Sequence, residues 1–229
     1  MCIRDSTYSA WAVREASGIS EGDKLLTFSK IRAASQIMAN LPYVKGVRIG
    51  IKLPDTVNIM IEEESVVYAI KSSDGQWWMM DSDGRVVEQA NNAKAATATQ
   101  VLGVTLEAPT VNEKGVATEM TPSETNELGE LIPVSTTGAQ RLTAALQILK
   151  ALENNDIVGE AASVDVTSTE DIILWYGTRY QVNLGDTSRL DYKVDCMNDA
   201  ILQMSDYQSG VLDISFTIWP NQVGYTPFA

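Results

Sequence analysis

The sequence predicts an α+β fold in two domains, for three reasons. Apolar residues recur at helical spacing in a few segments and alternate with polar residues in many more. Asp-Gly and Pro-Asp pairs separate the alternating segments, as the turns of antiparallel hairpins require. With 229 residues and 45% apolar content, the chain is long enough to form two domains, each with its own core.

The first domain is predicted to contain two helices and a hairpin. Ser9 is a suitable N-cap for a short helix, and Gly18 is a suitable stop for it. A second helix is predicted from about Ser29 to Asn40, and Pro42 ends it. A hairpin follows, because alternate residues are apolar on both sides of the Pro54-Asp55 turn: Val47, Ile49, Ile51, Val57, Ile59 and Ile61.

The second domain is predicted to begin with consecutive strands. Two hairpin turns, Asp74-Gly75 and Asp83-Gly84, lie within residues 64–106. The run Trp77-Trp78-Met79-Met80 between them could form an aromatic ligand site, but it is more typical of a strand that is buried on both faces. Residues 107–137 are rich in Glu, Thr, Pro, Ser and Gly, so we expect a long surface loop there.

Two helices and four strands are predicted in the remaining chain. An amphipathic helix is predicted at 139–154. A second helix is expected to be capped by Thr187 or Ser188, and the last strand is expected from Val211 to about Ile218. The three other strands are predicted at 162–166, 172–176 and 180–184.

Composition argues against several classes of function. The net charge is −13 and no basic stripe offsets it, which argues against binding to nucleic acid or to an anionic membrane surface. The chain has no histidine, so the usual general base and zinc ligand are missing. Cys196 lies in a helical pattern, where a lone cysteine is more often a small core residue than a nucleophile.

Other candidates for chemistry are equally weak. Asp81 and Asp83 lie beside a turn, where Asp is favoured because it bonds nearby backbone amides. Ser163 and Ser168 have no histidine to activate them. We therefore predict that the chain is not an enzyme and has no metal site and no cofactor.

Several segments resemble the FtsQ/DivIB family of cell-division proteins. Leu41 to Glu63 resembles the end of the family's POTRA domain, and Ser17 to Leu26 resembles the link between its helices. The resemblance extends over nearly all of residues 7–228, with 107–137 as the one departure. In the second domain it is carried by three segments: Trp78–Val86, Tyr176–Gly185 and Gly210–Ser215.

The resemblance implies domain boundaries and a non-catalytic role. Residues 7–63 are expected to form a POTRA domain, β-α-α-β-β in the family, without its first strand. Residues 64–229 are expected to form a mixed, mainly antiparallel β domain with flanking helices. The family implies a divisome scaffold on the extracytoplasmic side of the cell membrane at the septum. Such a scaffold binds partners of the FtsB/DivIC and FtsL types and helps to regulate septal peptidoglycan synthesis.

The family also implies a partner-binding strand near the end of the chain. Leu212, Ile214, Phe216 and Ile218 alternate with Asp213, Ser215 and Thr217, which predicts one buried face and one wet face. If this final strand is unpaired, a segment of an FtsB/DivIC-type partner can add to it by β-augmentation. An ordinary closing strand remains the alternative. The expected partner-binding residues are Val211, Leu212, Asp213, Ile214, Ser215, Phe216 and Trp219, with Phe216 and Trp219 as aromatic anchors.

The first six residues are expected not to belong to the fold. Met1-Cys2-Ile3-Arg4-Asp5-Ser6 resembles the translation of an adapter used in sequencing libraries. The upstream reading frame is then expected to encode a basic tail, an apolar run of ~20 residues and a β-branched strand. On this expectation, the missing span is the only attachment to the membrane.

Two other functions remain open. A different POTRA-containing protein could bind polypeptides for secretion or outer-membrane assembly, although such proteins usually have tandem POTRA repeats and this chain repeats nothing. A secreted hydrolase is the third possibility, and the absence of histidine disfavours it.

Overall fold

The polypeptide forms two units, Met1–Ser65 and Val66–Ala229. The computed structural model describes residues 7–24, 28–64, 67–119, 136–205, 207–217 and 221–228. The two units are described separately below. Together they confirm the predicted α+β class.

The first unit contains two helices and a two-stranded sheet in its described residues. The helices are α1 (Ala10–Ser17) and α2 (Lys30–Asn40), and the strands are β1 (Val44–Lys52) and β2 (Thr56–Glu63). The strands form an antiparallel hairpin in which Ile49 lies opposite Ile59. Its core cluster is small: Val13, Ile37, Leu41 and Val44.

The predicted helix ends of this unit are confirmed. The Oγ of Ser9 accepts a hydrogen bond from the Ala12 amide at 3.2 Å, and the Oγ of Ser29 accepts one from the Arg32 amide at 3.3 Å. Gly18 ends α1 in the left-handed conformation, with φ of 66°. These contacts satisfy amides that the first turn of a helix leaves without intrahelical partners.

The second unit is built on one nine-stranded sheet. Its strands lie in the order β11-β10-β9-β8-β7-β6-β3-β4-β5, and three of the eight neighbouring pairs are parallel: β10 with β9, β7 with β6, and β6 with β3. The strands are β3 (Tyr68–Ser72), β4 (Trp77–Met80), β5 (Val86–Ala90), β6 (Gln100–Leu106), β7 (Ala161–Asp165), β8 (Ile172–Tyr176), β9 (Tyr180–Gly185), β10 (Gly210–Asp213) and β11 (Gly224–Pro227).

The main core lies between one face of this sheet and two helices. The helices of the unit are α3 (Asn92–Ala95), α4 (Gly138–Asn154) and α5 (Leu190–Leu202). Residues that lie side by side on neighbouring strands are buried in one cluster with apolar residues of α4 and α5. This row consists of Val101, Val164, Leu174, Val182 and Leu212.

The opposite face of the same strands is only half-buried. The register places Ser163, Trp175, Gln181 and Val211 side by side on it. Each of these side chains is partly exposed to solvent. The sheet therefore has a core face and an open face at this end, as expected of a sheet that is half-solvated.

Part of the predicted 107–137 loop packs on the sheet. The Val86 amide donates to the Glu113 carbonyl, and the Asn112 amide donates to the Val86 carbonyl, both at 2.8 Å. Ala117 is 6% exposed and pairs with Leu106 in an isolated bridge. Residues 107–119 contain no helix or strand of more than one residue and are mostly exposed, so this stretch is a surface loop that packs on the sheet; residues 120–135 lie outside the described residues.

Candidate partner-binding surface

The strand expected to be the unpaired end of the sheet has neighbours on both sides. β10 pairs in parallel with β9, where Leu212 lies opposite Val182, and antiparallel with β11, where Leu212 lies opposite Tyr225. The strand also ends at Asp213 rather than continuing to Ile218. The prediction of an unpaired strand over 211–218 is therefore wrong.

Two local features end β10 early. Oδ1 of Asp213 accepts hydrogen bonds from the Ser215 amide at 3.0 Å and from the Ser215 hydroxyl at 2.7 Å, which turns the chain. Phe216 then has a φ of 58°, in the left-handed region that a strand cannot contain. The apolar-polar alternation continues through these residues, but the backbone leaves the strand conformation.

The structure separates the predicted site residues into three groups. Leu212 and Ile214 are buried completely in the core, so they support the strand and are not accessible to a partner. Trp219 lies outside the described residues. The half-buried group consists of Val211, Asp213, Ser215 and Phe216.

The outermost strand on this side of the sheet, within the part of the chain described, is β11. The amides of Gly210 and Ile214 donate to carbonyls on the β9 side, those of Arg179 and Asn183. Because backbone groups alternate in direction along a strand, the N–H and carbonyl groups of Val211 and Asp213 point the other way, toward β11. Thr226 lies opposite Val211, and it therefore pairs inward. The backbone groups of Tyr225 and Pro227 consequently point outward.

The outer edge of β11 offers few main-chain groups. Tyr225 supplies one N–H and one carbonyl, whereas Pro227 supplies a carbonyl alone because proline has no N–H. Proline at an edge position is a usual way to limit unwanted pairing of an exposed strand. Gly210 lets β11 approach closely, since a Cβ at that position would lie 2.3 Å from the Thr226 carbonyl oxygen.

An aromatic pair lies beside this edge on the open face of the sheet. The rings of Trp175 and Phe228 are stacked with centroids 6.3 Å apart and an interplanar angle of 24°. Phe228 is 43% exposed, and its amide donates to the Ser209 carbonyl at 3.1 Å. Sequence analysis missed this pair, because the stacking depends on a strand that it did not predict.

The start of α5 is held by a buried lysine. Lys193 is 1% exposed, and its Nζ donates at 2.8 Å to the carbonyls of Leu184 and Asp186 and to Oδ1 of Asp186. The hydrogen bond from Lys193, with a further one from Ser188, lowers the pKa of Asp186 to about 2. Ser188 therefore bonds Asp186 and does not cap the helix, so the predicted cap at Thr187 or Ser188 is wrong. Arg189 occupies the N-cap position.

Comparison with known proteins connects both units to one family. The family model described as "POTRA domain, FtsQ-type" matches residues 6–64. The cell division protein DivIB of Clostridium tetani is 24% identical over 208 residues, which cover 90% of this chain and 70% of that protein. The chain is thus similar to the FtsQ/DivIB family of cell-division proteins. This confirms the resemblance inferred from the sequence.

Two further FtsQ/DivIB relatives match shorter stretches. DivIB of Clostridium acetobutylicum is 29% identical over 92 residues, which cover 40% of this chain and 36% of that protein. The cell division protein FtsQ of Corynebacterium glutamicum is 35% identical over 75 residues, one third of each chain. The similarity to this family therefore rests on the POTRA match and on three relatives that are named cell division proteins.

Two findings about the described part of the chain bear on chemistry and location. No three or more Cys, Asp or Glu side chains come together there as ligands of a metal ion would. No described helix is both long enough and apolar enough to cross a membrane.

Proposed function

We propose that this chain is a non-catalytic scaffold of the division machinery. In this proposal, residues 7–63 form the POTRA domain without its first strand, and residues 64–229 form the β domain that binds partners of the FtsB/DivIC and FtsL types. Such binding would help to regulate septal peptidoglycan synthesis. Similarity to the FtsQ/DivIB family and the absence of histidine from the whole sequence support the proposal.

The location follows from the same family. We propose that both units lie on the extracytoplasmic side of the cell membrane at the septum, attached through an upstream span. A source reading frame that encodes an apolar run of ~20 residues before residue 7 would support this placement. A stop codon directly upstream would contradict it.

The outer edge of β11 is the observation that carries the proposed partner site. A partner segment that adds a strand there would bond the outward N–H and carbonyl of Tyr225. Of the residues predicted from the sequence, Val211 lies beside that edge on the open face and Phe216 lies in the connection that follows β10. The exposed ring of Phe228 supplies an additional aromatic anchor.

The opposite edge of the sheet is less available. Val86, on the outer side of β5, already exchanges backbone hydrogen bonds with Asn112 and Glu113. A partner strand would have to displace that segment to pair with Val86. No segment among the described residues pairs with the outer side of β11, which favours this edge as the place for β-augmentation.

Two variants at one position test the main-chain contact. Tyr225→Pro removes the outward N–H together with the ring, whereas Tyr225→Ala removes the ring alone. The probe is a synthetic peptide of the extracytoplasmic segment of a DivIC-type protein, and affinity is measured by titration calorimetry. We expect Tyr225→Pro to weaken binding about tenfold more than Tyr225→Ala, the effect of one lost hydrogen bond of about 1 kcal/mol or slightly more.

Equal affinity of the two variants, with both folded by circular dichroism, would contradict β-augmentation at this edge. Phe216→Ala and Trp219→Ala test the anchors expected from the sequence in the same assay. Ser215→Pro would not test main-chain pairing, because the Ser215 amide donates to Asp213 and not to an outer strand.

A further inference from the structure

The connection between β10 and β11 and the start of α5 share an unusual backbone feature. Arg189, Phe216 and Asn221 have φ angles of 54°, 58° and 56°. Residues other than glycine rarely adopt this left-handed conformation, and they keep it only where surrounding contacts hold them. Arg189 is far in sequence from Phe216 and Asn221, yet its side chain contacts both of theirs.

Arg189 is the centre of that cluster. Its guanidinium lies 4.3 Å from the centroid of the Tyr192 ring and 5.9 Å from that of Phe216. The two rings lie 5.6 Å apart. Nη1 of Arg189 also donates to Oδ1 of Asn221 at 3.2 Å. One side chain thus contacts residues on both sides of the stretch that leads from β10 to β11.

The two ends of this connection are fixed in different ways. After β10, the Ile214 amide donates to the Asn183 carbonyl, and Ile214 is buried in the core. Before β11, Asn221 is exposed and its side chain accepts the hydrogen bond from Arg189, whereas Val223 packs against the main core. The approach to the outer strand is therefore fixed by the Arg189 contact together with the packing of Val223.

We infer that Arg189 is a positioning residue, whose guanidinium holds Phe216, after β10, and Asn221, before β11, at the start of α5 and thereby helps to set the position of the outer strand. The role of Arg189 in positioning β11 does not depend on the proposed function, whereas any effect of Arg189 on partner binding does. The planar guanidinium can stack on a ring and donate in its own plane at the same time, which a lysine ammonium cannot do. The inference therefore requires an arginine at position 189, and a lysine could not replace it.

Three variants at the two contacting positions test the inference by hydrogen exchange of residues 224–228. In Arg189→Gln and Asn221→Ala we expect the inward amides of Gly224, Thr226 and Phe228 to exchange about tenfold faster, because the hydrogen bond and ring contacts of Arg189 are lost. Asn221→Asp keeps an acceptor for Nη1 and should retain the parent protection. Arg179→Gln is the matched control, since it removes another arginine that lies over a ring, 5.2 Å from the Tyr180 centroid.

The result that overturns the inference is unchanged protection of 224–228 in Arg189→Gln, or equal loss in Asn221→Asp and Asn221→Ala. A fall in the midpoint of global unfolding together with lost protection in β7 would also overturn it, because that pattern belongs to a purely structural role.

Peptide binding separates this inference from the proposed function. Faster exchange at 224–228 with weaker binding of the DivIC-type peptide supports both. Faster exchange with unchanged binding supports Arg189 as a positioning residue and contradicts the β11 edge as the partner site.

Discussion

At the scale of single residues, the end of the sheet is organised by a few buried or strained contacts. Lys193 is almost fully buried and donates three hydrogen bonds, two of them to backbone carbonyls and one to Asp186. A buried cation is tolerated only when its donors are satisfied, as they are here. This arrangement connects the end of β9 to α5.

The depressed pKa of Asp186 predicts a pH-dependent contribution to stability. Its folded pKa of about 2 lies below the ordinary value, so the contribution is present above about pH 4 and is lost as the pH falls toward 2. The side chain is 58% exposed, and we therefore expect Asp186→Asn to cost only about 1 kcal/mol at pH 7.

Denaturant unfolding between pH 7 and pH 2.5 measures this effect. The difference between the parent and Asp186→Asn should shrink as the pH falls below about 4, because the carboxylate is then protonated in the unfolded state and still ionised in the folded state. Asp195→Asn, an exposed position on α5, is the control and should show little difference at any pH. A difference that stays constant down to low pH would assign the effect to something other than the charge.

At the scale of elements, the sequence predicted regular segments well and the last strand poorly. The hairpin β1–β2 and the helices α2 and α4 have strong periodicity, clear end signals or both. β11 has only four residues and contains Pro227, which counts against a strand assignment. Val223, Tyr225 and Thr226 after the Pro220-Asn221 turn signal were the available clue.

Contacts between distant segments could not be predicted from periodicity. The left-handed backbone of Arg189 and its contact with Asn221 depend on where the chain returns after β10. The stack of Trp175 on Phe228 depends on the register of strands that lie apart in sequence. Such contacts follow from tertiary packing, which local propensity does not encode.

Gly210→Ala should detach β11 from the sheet. A Cβ there would lie 2.3 Å from the Thr226 carbonyl oxygen and 2.9 Å from the Pro227 Cα, so the outer strand must move. We expect protection of the inward amides of Gly224, Thr226 and Phe228 to fall to that of an unpaired segment, while β7 and β8 keep theirs. Gly159→Ala is the matched control, because a Cβ at Gly159 meets no atom within 4 Å. Full protection at 224–228 in Gly210→Ala would contradict the β10–β11 pairing.

At the scale of the whole molecule, the two units differ in charge and in core. Residues 1–65 carry eight Lys or Arg and eight Asp or Glu, so their charges cancel. Residues 66–229 carry nine Lys or Arg and twenty-two Asp or Glu. The entire net charge of −13 therefore belongs to the second unit. Its surface should favour basic over acidic partner segments, with faster association at low salt.

The first unit should unfold locally more readily than the second. Its described core cluster has four buried residues and its described sheet has two strands, and a two-stranded sheet is marginally stable without further packing. We expect faster hydrogen exchange in 7–63 than in 67–106 and 139–213. Equal protection in both units would show that the small core is sufficient.

The central claim is that a partner strand adds to the outer edge of β11. The direct measurement is residue-resolved hydrogen exchange by NMR, with and without a saturating synthetic peptide from the extracytoplasmic segment of a DivIC-type protein. The predicted result is that the outward amide of Tyr225 exchanges at least about tenfold more slowly in the complex, while amides of β5 do not change. Saturable binding that leaves the Tyr225 amide unprotected, or that protects β5 instead, would contradict the claim.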